Sequence, residues 1–122
     1  MPAFKAEQLS PTALAYLGDA VYELHVRMRY LYPPQRIQSF HRRVVAQVRA
    51  EAQARHLQQL EPHLTPTEKD IIRRGRNSAS NSPKRASLDI YRRATGFEAL
   101  IGYLYLTHPE RLEALLLQLP LE

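Results

Sequence analysis

Ser10-Pro11-Thr12-Ala13-Leu14-Ala15-Tyr16-Leu17-Gly18-Asp19-Ala20-Val21-Tyr22-Glu23-Leu24 is the stretch on which the fold turns. Ser10 is a good N-cap and Pro11 suits the first helical position, because its missing N–H would have no helical partner there anyway. No stop signal follows until Pro33-Pro34, so the helix is expected to run to about Leu31. Leu14, Leu17, Val21, Leu24 and Met28 recur at three- and four-residue steps, which predicts one apolar stripe turned toward a core. Gly18 and Asp19 are both poor mid-helix residues. Close approach of a second helix is the usual compensation for such a glycine.

Outward from this segment the remaining signals are also helical. Ser39 can cap a second long helix from about Phe40 to Leu60, with Phe40, Val44 and Val48 on one side and Ala46, Ala50 and Ala54 on another. Thr65-Pro66-Thr67-Glu68 reads as a capping box, and Gly75 is placed to end the short helix that it opens. Residues 76–87 are Ser/Asn-rich, basic and without apolar period, hence a loop. Ser87 caps a helix from about Leu88 to Thr107, with Ile90, Phe97, Leu100, Ile101 and Leu104 facing inward, and Pro109 starts a last leucine-rich helix. No stretch alternates as a strand, and no repeat occurs. The expectation is an all-α single domain over residues 1–122 with one basic loop at about 76–87.

Composition excludes several function classes. The 122 residues are 44% apolar, enough for a helical core. Without cysteine there is no disulfide scaffold, thiolate metal site or cysteine nucleophile. No apolar run reaches the roughly 18–20 residues of a membrane span, and the first ten residues lack the pattern of a signal peptide, so an intracellular protein is expected. The four glycines, Gly18, Gly75, Gly96 and Gly102, compose neither a dinucleotide loop nor a P-loop. The five histidines show no zinc-ligand spacing, so no zinc site is expected.

The formal net charge is +5, and its distribution is uneven. Between Lys69 and Arg93 eight basic residues face only Asp70 and Asp89, whereas the rest of the chain is close to neutral. Fourteen of the 17 basic residues are arginine, the side chain suited to bidentate phosphate contact. Two readings stand: a solvated surface loop, or an arm that binds a polyanion. A membrane-lying helix fits poorly, since Ile71, Ile72 and Leu88 are nearly the only large apolar residues there.

Two acids stand out from the rest. Asp19 lies in Leu-Gly-Asp-Ala-Val and Glu98 in Gly-Phe-Glu-Ala-Leu-Ile-Gly, each in an apolar mid-helix setting beside a glycine or a close one, Gly18 or Gly102. If those helices cross at the glycines, the two carboxylates converge in a partly dehydrated cleft, where a divalent cation is the natural counter-ion. Mg²⁺ needs only one or two protein carboxylates, with waters and substrate phosphate completing its shell. The plain alternative makes Asp19 a surface acid and Glu98 a partner of Arg92 or Arg93.

Leu17-Gly18-Asp19-Ala20-Val21 resembles the core of the ribonuclease III signature, and Phe97-Glu98-Ala99-Leu100-Ile101-Gly102-Tyr103-Leu104-Tyr105 resembles that family's second acidic motif. More narrowly, Ala15 to Glu23 and Arg73-Arg74-Gly75-Arg76-Asn77 look like the short Mini-III branch, which lacks the separate double-stranded-RNA-binding domain. The resemblance implies a ribonuclease III-like helical bundle and an Mg²⁺-dependent endoribonuclease that cuts double-stranded RNA to 5′-phosphate and 3′-hydroxyl ends. The paired ends of precursor 23S ribosomal RNA, in the cytoplasm, are the implied substrate. Asp19 and Glu98 match the catalytic, metal-holding acids. Thr12, Ala15 and Thr95 stand where the larger enzymes carry further carboxylates, leaving a single-metal arrangement open. Glu23 is either an outer helper of Asp19 or simply a partner for Arg27. The family acts as a homodimer, and Tyr16 matches an aromatic of its interface, although core packing is the ordinary role for such a residue. Arg73, Arg74, Arg76 and Asn77, with Lys84 and Arg85 across the loop, are the expected RNA-backbone contacts. The alternatives are a non-catalytic duplex-RNA-binding homologue on the same fold, or an unrelated helical protein with a basic arm.

Overall fold

The computed structural model describes residues 5–79 and 87–121. Six helices form: α1 (Pro11–Tyr30), α2 (Ile37–Val48), α3 (Ala50–Leu60), α4 (Pro66–Ser78), α5 (Leu88–Thr107) and α6 (Pro109–Leu117), and there is no strand among the described residues. Three starts follow from local chemistry. The Ser10 hydroxyl accepts from Ala13 N at 3.0 Å, the Ser87 hydroxyl from Ile90 N at 3.1 Å, and Thr65 and Glu68 close a reciprocal capping box around Pro66.

α1 and α5 are the central pair; α3 and α4 flank α5, and α2 lies against α1. Between them Tyr22 and Phe97 meet edge to face, with ring centroids 5.1 Å apart, and the Tyr22 hydroxyl bonds His56 Nδ1 of α3 at 2.8 Å. Burial, aided by the neighbouring Arg55 charge, pushes the His56 imidazole down to about 4. His56 is therefore neutral at physiological pH and accepts the tyrosine proton.

Five expectations need correction. Residues 40–60 are not one helix: Arg49 is extended (φ −70°, ψ 158°) and separates α2 from α3. No proline or glycine marks the break. It arises because α2 must cover α1 while α3 covers α5, which a straight rod cannot do. The second helix also begins at Ile37, before Ser39, and has no side-chain cap.

On α1 the buried face is Leu14, Ala15, Gly18, Tyr22, Val26 and Tyr30. Leu24 and Met28, expected in the core, are 59% and 65% exposed. The helix is apolar on more than one side, so spacing alone does not say which side faces inward. Gly75 does not terminate α4, which continues to Ser78. It lies where α4 crosses α5, and a Cβ there would come within 2.9 Å of Ala99 Cβ. Accordingly residues 76–78 of the expected loop are helical, and Lys84 and Arg85 fall outside the described residues.

Candidate active site

Gly18 and Gly102 let the α1 and α5 backbones touch. A Cβ on Gly18 would lie 1.8 Å from the Glu98 carbonyl oxygen, and one on Gly102 would lie 2.0 Å from that of Leu14. Only glycine fits at both positions. The crossing brings Asp19, the residue after Gly18, beside Glu98, near enough for the two carboxyl groups to perturb one another. Burial, then the bond to Asp19 and its charge, push the Glu98 carboxyl up to about 8. Two carboxyl groups held this close favour a proton, or a cation, that offsets their mutual repulsion. Asp19 stays exposed and opens onto a concavity of about 380 Å³ lined also by Ala20, Glu23, Leu24 and Arg27.

Gln53 of α3 completes the arrangement. Its Nε2 donates to Glu98 Oε2 at 3.3 Å and to the Val48 carbonyl at 2.8 Å. This bond opposes the upward shift, since it favours the ionised carboxylate. Sequence reading missed Gln53. Its signal was an amide set among the alanines of a helix face, at a position where polarity has no surface purpose.

Asp19 is exposed, as its plain alternative expects, whereas one expected arginine partner of Glu98 is engaged elsewhere. Arg93 pairs with Asp89 at 3.0 Å rather than with Glu98. Glu23 pairs with Arg27 while lining the same concavity as Asp19. Thr95 donates to the Tyr91 carbonyl at 3.0 Å. Among the described residues no third histidine, aspartate or glutamate joins the pair in a metal-sized cluster.

The basic residues form a second feature. Arg73, Arg76 and Asn77 line a groove of about 390 Å³ with Lys69 and Arg92. Arg73 is held by Asp70 at 2.6 Å, and Arg76 lies 3.6 Å from Asp89. Arg74 is half-buried and is not part of the groove lining. Arg92 and Glu98 share α5, about 9 Å apart along its axis. Tyr16 is 83% exposed and belongs to an outward α1 stripe with Ala20, Leu24 and Met28, so it is not a core residue. No helix among the described residues is long and apolar enough to cross a membrane.

A model of the ribonuclease III domain matches residues 12–109, a span holding both acids, Gln53 and the described basic groove. The chain belongs to the ribonuclease III family. Its relatives place it in the Mini-ribonuclease III branch. It is 60% identical over 112 residues to the Mini-ribonuclease 3 of Thermosynechococcus vestitus, covering 92% of this chain and 74% of the relative. Against the Mini-ribonuclease 3 of Synechocystis sp. the identity is 59% over 110 residues, covering 90% and 77%. A crystal structure of a Fusobacterium nucleatum protein superposes with a TM-score of 0.84 at 30% identity, covering 93% of each chain. The helical fold is thus that of the family, and the chain is an endoribonuclease.

Proposed function

We propose that this chain is an Mg²⁺-dependent endoribonuclease that cleaves double-stranded RNA, with Asp19 and Glu98 as its catalytic, metal-holding residues. The observation that carries the reading is the Asp19–Glu98 contact at the Gly18–Gly102 crossing. Their donor chemistry fits a hard divalent cation: two oxygen ligands, mutually repelling when ionised, one half-buried and one open to the concavity. Bound there, Mg²⁺ supplies an activated water and neutralises charge at the scissile phosphate. Asp19 and Glu98 fix its place on the protein, and Gln53 holds Glu98. In the net reaction a water oxygen joins phosphorus, the bond to the 3′-oxygen breaks and that oxygen takes a proton, leaving 5′-phosphate and 3′-hydroxyl ends.

The substrate is held through its backbone, because A-form RNA hides its base edges in a deep, narrow groove. Arg73, Arg76 and Asn77, beside Arg92, supply charge and donors from one groove. Arg74, Lys84 and Arg85 add further positive charge along the same stretch of sequence. The whole chain works as one catalytic unit in the cytoplasm, on stems such as the paired ends of precursor 23S ribosomal RNA. The exposed apolar stripe of Tyr16, Leu24 and Met28 supports a homodimer whose two sites cut the two strands of one duplex.

Incubation of the purified protein with a duplex RNA, with and without Mg²⁺, tests the reading when the new ends are mapped. Cleavage should require the metal and give 5′-phosphate termini. Asp19→Ala should abolish cutting while metal-free duplex binding survives. An active Asp19→Ala variant would remove that residue from the site.

A further inference from the structure

Gln53 is 2% exposed, yet it is a polar residue at the junction of three helices. Both hydrogens of its amide are committed, one to the carbonyl that ends α2 and one to the Glu98 carboxylate. The amide orientation is therefore unambiguous. Turned over, Oε1 would face the Val48 carbonyl oxygen at 2.8 Å, two acceptors with no proton to share. In the observed orientation Oε1 has no partner among the described residues. A buried acceptor left in this way is unfavourable. The side chain is thus held for its two donor bonds at the expense of its acceptor.

Those two bonds serve different ends. The bond to Val48 satisfies a carbonyl exposed by the break at Arg49, which is a structural role. The bond to Glu98 is not needed for folding, since a half-buried glutamate could turn toward water. A glutamate side chain has considerable rotamer freedom to lose. Without an anchor, Glu98 would sample other rotamers and its carboxyl would lose its fixed place beside Asp19.

We infer that Gln53 is a positioning residue, which tethers the Glu98 carboxylate against Asp19 and so presets the site before substrate arrives. The inference rests on the reading of Asp19 and Glu98 as the metal-holding pair. Gln53 performs no chemistry; it removes the alternative rotamers of a residue that does.

The test uses two variants. Gln53→Met keeps the volume and deletes both donor bonds. Gln53→Asn keeps an amide near Val48 but is one methylene too short to hold Glu98, so it maintains the test if the first variant does not fold. Magnesium binding is read by calorimetry on the RNA-free protein. Both variants should bind Mg²⁺ about tenfold or more weakly. At saturating metal kcat should fall, while the KM for duplex RNA and metal-free duplex binding stay within twofold of wild type. A purely structural role would change melting temperature without changing Mg²⁺ affinity, and that result overturns the inference. Wild-type Mg²⁺ affinity and kcat in either folded variant overturns it as well. Glu98→Gln is the control: if it cleaves RNA normally, the reading of the acidic pair fails rather than the assignment of Gln53.

Discussion

Replacing Glu98 by glutamine should make the metal-free protein more stable while eliminating its activity. Asp19 and Glu98 are pressed together by the Gly18–Gly102 crossing, and the Glu98 carboxyl is raised from 4.5 to about 8. A carboxyl raised in the folded state binds its proton more tightly there than in the unfolded chain. Stability is therefore complete below pH 4.5 and falls with rising pH, by at most about 1.4 kcal/mol per unit, until it levels off above pH 8. Because Asp19 can relax toward solvent, the total is discounted to the order of 3 kcal/mol, or roughly 10 °C in melting temperature for a chain of this size. Glutamine keeps the shape, accepts from Gln53 and donates to Asp19, so it removes the penalty. The assay is thermal unfolding in EDTA of wild type and Glu98→Gln, from pH 4 to pH 9. The two should coincide near pH 4 and separate by roughly 10 °C at pH 8.5. Adding Mg²⁺ at pH 8.5 should then stabilise the wild type and leave the variant unmoved. Parallel curves across the whole pH range would refute the proposed repulsion.

Three further outcomes are expected. Gly18→Ala forces a methyl group to within 1.8 Å of the Glu98 carbonyl oxygen. Overpacking of this kind costs at least about 1–3 kcal/mol, so chemical denaturation should show a loss of that size or larger, and an unchanged midpoint would contradict the tight crossing. Changing Arg73, Arg74 and Arg76 together to alanine should weaken duplex binding and reduce the slope of log affinity against log salt by about 2–3; an unaltered slope in a filter-binding titration would exclude the groove as the phosphate contact. Arg111→Ala leaves Glu68, 5% exposed and bridged by Arg111 at 2.9 Å, with only its capping-box bond from Thr65 N. That should destabilise the fold by about 1–3 kcal/mol with little effect on the cleavage chemistry, and a melting temperature within 2 °C of wild type, roughly half a kcal/mol or less for a chain of this size, would show the pair to be dispensable.

Three helix starts and the unusual setting of the two acids are legible in the amino-acid order alone. Ser10, Thr65 with Glu68, and Ser87 cap their helices through bonds to residues three positions away, so the neighbouring sequence holds all the necessary information. The glycines beside Asp19 and Glu98 likewise signalled a close crossing, because an interior helical glycine needs compensation from outside its own helix. Tertiary structure alone decided the rest. Arg49 breaks a continuous helical pattern because two different partners must be covered. Gly75, which looks like a terminator, lies inside a contact. The inward face of α1 was set by the neighbours that bury Tyr22 and Val26 and leave Leu24 and Met28 outside. Gln53 meets Glu98 across 45 positions of chain. Local hydrogen bonds are written in adjacent residues, whereas the choice of which surface is buried belongs to the assembled helices.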